Sequence, residues 1–261
     1  MKKGLFGSCL LAVFCACTML MSVAHADESL RRVEKSKTLR IGFCAQYPPF
    51  ESRNDAGELE GFDVALGRAL AQEMGVKAEF FDAEWQGLLA GLNKGDYDVL
   101  MSCMSRSETR GQAVNMSATY YRLPDVIVVR KGEKKITGLE SLKGRTVGVQ
   151  LGSGTEIFAD KHPESFGDIK KYNYNPEAFN DLKFGRIDAV LVGYAFAVLQ
   201  IKADSSYEIA GEPLTEAEIV AVMPKGADAL TVRMNDALKA LQANGTYDRI
   251  IDQWLSTHAA K

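Results

Sequence analysis

Histidine, cysteine and basic charge are all in short supply in this 261-residue chain, and each shortage removes a class of function. Of three histidines, His25 falls in the leader discussed below, which leaves only His162 and His258. Two scattered histidines and two distant cysteines give no metal-ligand spacing, so no metal and no cofactor is expected. Nor do they give a Ser–His or Cys–His pair at a spacing that would make a nucleophile. Lys and Arg number 31 against 34 Asp and Glu, and there is no basic run, so a nucleic-acid partner is not expected. After residue 23 no stretch approaches the roughly 20 apolar residues a membrane span needs. Low-complexity runs and solenoid-length repeats are absent too.

What is present begins at the N-terminus. Lys2 and Lys3 precede an uncharged apolar run from Leu5 to Val23, followed by Ala24-His25-Ala26. That is the order of a secretory leader, with cleavage expected before Asp27 and periplasmic residence for the mature chain. An uncleaved anchor and lipid attachment at Cys17 are the alternatives; Ser8, Cys9, Cys15 and Cys17 interrupt the first, and Phe14 fits the second poorly. Removing 1–26 takes Lys2 and Lys3 and no acid, leaving 29 basic side chains against 34 acidic. Only Cys44 and Cys103 survive, in an oxidising compartment, where they either pair or stay as two small thiols.

The mature chain reads as strand and helix in alternation. Residues 27–37 are polar and read as a linker. Thr38–Phe43 is a strand running into Tyr47-Pro48-Pro49-Phe50, and Asn54–Gly61 carries turn residues. Phe62, Leu66, Leu70 and Met74 recur at helical spacing, ended by Gly75. Val76–Phe81 is a strand, Trp85 to Leu92 an amphipathic helix stopped near Gly95, and Asp98–Met101 a buried strand. The rhythm then repeats. Val126–Val129 and Thr146–Gln150 are strands, and Gly152-Ser153-Gly154-Thr155 opens a helix. Asn175-Pro176-Glu177 opens another, with proline at its first position. Ile187–Val192 is a strand; Leu230, Met234, Leu238 and Leu241 form the last long helix, and Ile250, Ile251 and Trp254 a final stripe. Two successive βαβ runs predict parallel sheets, with a ligand beyond the carboxyl ends of their strands.

An ordered series of motifs is similar to a known family. It runs Tyr47-Pro48-Pro49-Phe50, Gly57 to Glu60 into Gly61-Phe62-Asp63-Val64, Trp85, and Leu92-Asn93-Lys94-Gly95-Asp96-Tyr97-Asp98. Ser105-Arg106-Ser107-Glu108-Thr109-Arg110, Val147-Gly148-Val149 and Gly185-Arg186-Ile187-Asp188-Ala189 complete it. The series resembles the polar amino-acid-binding proteins of ABC importers, bacterial solute-binding family 3. The resemblance implies an α/β, two-lobed periplasmic-binding-protein fold of type II, hinged around a cleft. Lobe 1 would be 27–124 plus 222–261, and lobe 2 would be 125–221. It also implies a monomer that hands a small carboxylate ligand to a membrane permease.

By the same resemblance Arg110 is the carboxylate anchor, a planar fork suited to bidentate pairing. Ser105 would add a hydroxyl, with Ser102 and Cys103 near the ligand's amino end. Ser153, Gly154 and Thr155 would offer the free N–H groups of a helix start. Tyr47 and Trp85 would stack on the ligand. Two positions depart from the pattern. Relatives commonly carry an acid for the ligand's ammonium where this chain has Gly193, so Tyr194 or a main-chain carbonyl receives the ammonium, or the ligand lacks one. Histidine- and lysine-type relatives place an acid where this chain has Cys44, which argues for a neutral or polar, non-basic amino acid. The rival is an enzyme resembling the cyclohexadienyl dehydratases that share the fold, with Glu84 as its cleft carboxylate. A sensory module is a further rival, but the sequence ends at Lys261 without a signalling domain.

Overall fold

The computed structural model describes residues 28–256; the leader, Cys17, Asp27 and His258 lie outside the described residues. The segment expected to be a linker is instead a helix, α1 (Glu28–Ser36). Its polar sequence conceals one apolar anchor, Val33, which is fully buried. Arg32 also reaches the carboxylate of Asp98. Leu30 packs beside Val33, three residues earlier, and that two-residue stripe in nine otherwise polar residues seats the helix on the core.

The first sheet starts with β1 (Thr38–Phe43). A hairpin of β2 (Ser52–Arg53) and β3 (Leu59–Glu60) fills the Asn54–Gly61 turn region. Then α2 (Phe62–Glu73) buries Phe62, Leu66 and Leu70 at the predicted spacing. β4 (Lys77–Asp82) pairs parallel with β1. A 3₁₀ turn at Trp85–Gly87 leads into α3 (Leu88–Lys94), which Gly95 ends in the left-handed conformation. β5 (Val99–Leu100) pairs parallel with the other edge of β1. α4 (Glu108–Ala113) and β6 (Val114–Met116) follow.

The second sheet is built from β7 (Tyr121–Arg130), β8 (Thr146–Gln150), then α5 (Gly154–Lys161) and β9 (Asp168–Tyr172). α6 (Asn175–Lys183), β10 (Ala189–Gly193), α7 (Tyr194–Ala203) and β11 (Tyr207–Ile219) complete it. Its order is β11-β7-β10-β8-β9. The chain then returns: β12 (Val222–Pro224) inserts between β5 and β6, giving the first sheet the order β4-β1-β5-β12-β6. α8 (Asp228–Ala243) and α9 (Thr246–Trp254) cover one face of that sheet with Leu230, Met234, Leu238, Leu241 and Ile250.

Neither sheet is purely parallel. β12 is antiparallel to both its neighbours, and β7 is antiparallel to β10 and β11. The antiparallel members are the strands that flank the two connections between the sheets. Those connections, 117–120 and 220–221, hydrogen-bond to each other: Ser117 N–H to the Ala221 carbonyl at 2.9 Å and Tyr120 N–H to the Ile219 carbonyl at 2.9 Å. The Ser117 hydroxyl also accepts from Ala221 N–H at 2.9 Å. Among the described residues no helix is long and apolar enough to cross a membrane.

Candidate ligand-binding cleft

A cavity of about 60 Å³ lies between the lobes. A single water needs roughly 10–15 Å³, so the space suits a few water-sized groups. Its walls come from the carboxyl ends of parallel strands: Cys44 after β1, Ser102, Cys103 and Ser105 after β5, Ser153 to Thr155 after β8, and Gly193 closing β10. Tyr47 and Trp85 line it too. Ten of the twelve residues selected from the sequence therefore meet at one cavity. Arg110 and Tyr194 do not line it.

Arg110 sits immediately behind the wall. Ser107 caps α4 and fixes its first turn by accepting from Arg110 N–H at 3.2 Å. The guanidinium donates to the Ser105 carbonyl at 2.6 Å and the Ser105 hydroxyl at 3.0 Å. It also donates to the Gly152 carbonyl of the second lobe. Burial lowers its pKa to about 10, which leaves it charged at neutral pH. Opposite it, Ser153 caps α5 by accepting from Glu156 N–H at 3.1 Å. The Glu156 carboxylate turns back to Gly152 N–H and pairs with Lys171 at 2.9 Å. The first-turn N–H groups of α5 have no helical partners. Gly154 lets this turn close on the first lobe, because a Cβ would come within 2.5 Å of the Ser105 hydroxyl oxygen and push it from its present position.

Sequence reasoning missed two acids in the wall, Glu51 and Asp125. Glu51 is buried beside Asp63, and its Oε1 accepts from the Ser102 hydroxyl at 2.9 Å. That hydroxyl accepts in turn from Cys44 N–H at 3.1 Å. Asp63 accepts from Cys103 N–H at 2.6 Å, which holds Cys103 in the left-handed region at φ 45°. Glu51 Oε2 and Asp63 Oδ1 are buried without a donor. Two acceptor-only carboxylates cannot satisfy each other unless one holds a proton. Burial, then the charge of Asp63, pushes Glu51 well above the usual carboxylate range, so the proton sits on Glu51. Glu84, the acid selected from the sequence, is exposed and does not line the cavity.

Cys44 and Cys103 are free thiols. Burial pushes Cys44 up to about 12 and Cys103 well above its ordinary value, so both are neutral. Tyr47 reaches across the cleft and stacks on Phe196 of α7, with centroids 4.7 Å apart and planes at 7°. Gly193 makes room for it: a Cβ there would lie 2.7 Å from the Tyr47 hydroxyl and 2.6 Å from Leu123. Tyr194 opens α7 and packs into the apolar clusters instead. Asp125 lies directly across from Gly193 in the sheet, next to Thr215 on its other side. Two further contacts tie the lobes: Trp85 Nε1–H to the Leu151 carbonyl at 2.9 Å, and Gln86 Nε2 to the Asn173 carbonyl at 3.1 Å.

His162 ends α5 on the surface, and no group of three His, Cys, Asp or Glu among the described residues is placed to hold a metal. The family model for bacterial extracellular solute-binding proteins, family 3, matches residues 39–257. The L-cystine-binding protein TcyJ of Escherichia coli K12 is 33% identical over 245 residues, covering 92% of each chain. An ancestral arginine-binding protein solved with arginine superposes with a TM-score of 0.79 at 37% identity, covering 84% of this chain and 99% of that one. An ancestral amino acid-binding protein, described as a precursor of cyclohexadienyl dehydratase, superposes with a TM-score of 0.80 at 32% identity, over 87% and 99%. A cleft between two lobes, walled by strand ends, and a family match over nearly all the described residues lead to one conclusion: this chain belongs to the bacterial extracellular solute-binding proteins of family 3.

Proposed function

We propose that the protein is the periplasmic binding component of an ABC importer and that its cavity takes a small, non-basic α-amino acid. It would be exported by cleavage after Ala26 and would pass its ligand, as a monomer, to a membrane permease. Residues 27–124 with 222–261 would form the first lobe and 125–221 the second.

The observation that carries this reading is the Arg110 guanidinium, buried yet charged, spanning from Ser105 to the Gly152 carbonyl at the cavity's edge. A ligand carboxylate is a better acceptor than a carbonyl for that fork, because it carries a full negative charge and two oxygens that can take parallel N–H bonds from the planar guanidinium. Ser105 and the start of α5 would add donors to the same carboxylate. The non-basic side chain is supported by Cys44, a neutral thiol in the wall, and by Glu51, which holds a proton. Neither would repay the desolvation of a second cation.

The test is a thermal-shift series on refolded, ligand-free protein with L-serine, L-glutamine, L-cystine, L-arginine and L-histidine. A ligand at 100 times its dissociation constant adds about 2.7 kcal/mol of stability. A shift with serine or glutamine is the expected outcome; a shift with arginine or histidine alone would overturn the non-basic assignment.

A second reading draws on Glu51, a protonated acid in the wall, and on the dehydratase precursor among the structural neighbours. On that reading Glu51 would protonate the hydroxyl of a cyclohexadienyl carboxylate so that it leaves as water, while the ring carboxylate leaves as carbon dioxide and its C–C bonding pair completes the aromatic ring. Absence of an aromatic absorbance signal with such a substrate would dispose of it.

A further inference from the structure

Five acids are buried in the described structure, and four have their charge accounted for. Asp98 is met by Arg32 and Arg40, with Arg40 Nη2 at 2.8 Å. Glu156 pairs with Lys171. Glu51 lies beside Asp63, and burial holds its carboxyl well above the usual range, while Asp63 accepts from Cys103 N–H. Asp125 is different. It is only 8% exposed, and its one hydrogen bond is from the Thr215 hydroxyl to Oδ2 at 2.7 Å. No Lys, Arg or His among the described residues forms a salt bridge with it. It lines the same cavity as Glu51, whose Oε2 is buried without a donor.

An isolated buried carboxylate is costly unless a cation or several donors meet it. Here burial alone lifts Asp125 to about 6, so at neutral pH it remains ionised and unpaired. Its position in the sheet gives it a purpose. Gly193 opposite has no side chain, and Leu123 and the Tyr47 hydroxyl occupy the space that a Cβ there would need. An acid therefore cannot be accommodated at 193 without displacing Tyr47, whereas one on the neighbouring strand at 125 reaches the cavity from beside it.

We infer that Asp125 is the cation subsite of the cleft, taking the α-ammonium of the ligand that no residue at position 193 can hold. Arg110 immediately behind the wall and Asp125 in it then carry opposite charges, and with Glu51 neutral the set matches a zwitterion rather than a dication. This inference rests on the reading of the cleft as an amino-acid site and adds the residue that separates amino acids from plain carboxylates.

The experiment titrates ligand-free wild type and Asp125→Asn calorimetrically. The probes are L-serine, L-glutamine, L-cystine, L-arginine and L-histidine, each beside the matching acid without its α-amino group. The expected result is that Asp125→Asn weakens amino-acid binding at least tenfold and leaves any des-amino acid within threefold of wild type. Equal losses for both ligand classes, or unchanged amino-acid binding, would overturn the inference while leaving the amino-acid site intact. Wild type that binds only the des-amino acids would overturn both readings. Thr215→Val removes the donor but keeps the charge, and should hold amino-acid affinity within threefold. A tenfold loss in that variant would mark position 125 as structural and overturn the assignment, even if Asp125→Asn does not fold.

Discussion

The two lobes are built alike and meet the cleft by different means. Each is a five-stranded mixed sheet between apolar layers. Across the cleft the first lobe extends side chains: Trp85, Gln86 and Arg110 all donate hydrogen bonds. The second lobe answers with backbone: the carbonyls of Leu151, Asn173 and Gly152. Donors from one side and main chain from the other make a closure that depends on the identity of residues in the first lobe. In the second it depends on where the chain runs. Asp125 is the exception, a side-chain charge offered by the second sheet.

The largest effect is expected where a charged side chain leaves the first lobe. Arg110→Ala should lower amino-acid affinity at least 100-fold by calorimetry, for a loss of about 3 kcal/mol of charge-assisted bonding. A tenfold loss or less would mean that the α5 start carries the carboxylate instead.

Acid should act next, through Asp125. Its folded pKa is raised to about 6 by burial, so below that value it takes a proton and loses its hold on an ammonium. Affinity should fall about tenfold by pH 5 relative to neutrality. The ligand-free fold should respond in the opposite sense, because a carboxyl with a raised folded pKa favours folding as pH drops toward its unfolded value near about 4. Loss of ligand affinity together with a gain in apo stability is the signature. Asp125→Asn should flatten its part of both curves and leave whatever slope Glu51 and Asp63 contribute.

Gly154→Ala tests the backbone side. Its Cβ would sit 2.5 Å from the Ser105 oxygen, so that hydroxyl must turn away from Arg110 or the two backbones must separate. Overpacking of this kind costs about 1–3 kcal/mol, and a loss near tenfold is expected. Ser105→Gly in the same chain should recover most of it.

The smallest effects sharpen the contrast most. Trp85→Phe keeps a ring and removes one donor, worth about 1 kcal/mol or roughly fivefold in affinity. Leu151→Ala, on the accepting side, should change affinity less than twofold, because the carbonyl stays where it is. Equal losses at 85 and 151 would end the distinction between the lobes.

Legibility in the sequence follows the same division. Strands with continuous apolar runs, such as Thr146–Gln150, and helices with a clear stripe, such as Phe62–Glu73, were readable because burial dictates their pattern. α1 was not, since its apolar stripe is only Leu30 and Val33 among nine otherwise polar residues. α7 was not either: Tyr194–Ala203 is apolar nearly all round and shows no helical stripe. β11 carries acids at Glu208, Glu212, Glu216 and Glu218 along a half-exposed edge, which masks its strand. At the site, residues carried by motifs were found and isolated ones were not. Asp125 did leave a signal, a lone charge within the apolar run 123–129. Glu51 left less, because an acid after a turn usually faces water.

β12 has a consequence for the order in which the protein is made whole. The fourth strand of the first sheet is three residues long and is supplied from beyond the entire second sheet, with Val222 set against Leu100 and Met116. The second sheet closes on strands from one uninterrupted stretch, 121–219, and needs nothing from elsewhere. The first stays split between β5 and β6 until its late strand arrives, a pairing at long sequence separation and so a slow one. If the chain is exported N-terminus first, as proposed, its first sheet stays unfinished until nearly all of the chain has crossed. The second sheet can close before the first, whose last joint is made only when Val222 meets Leu100 and Met116.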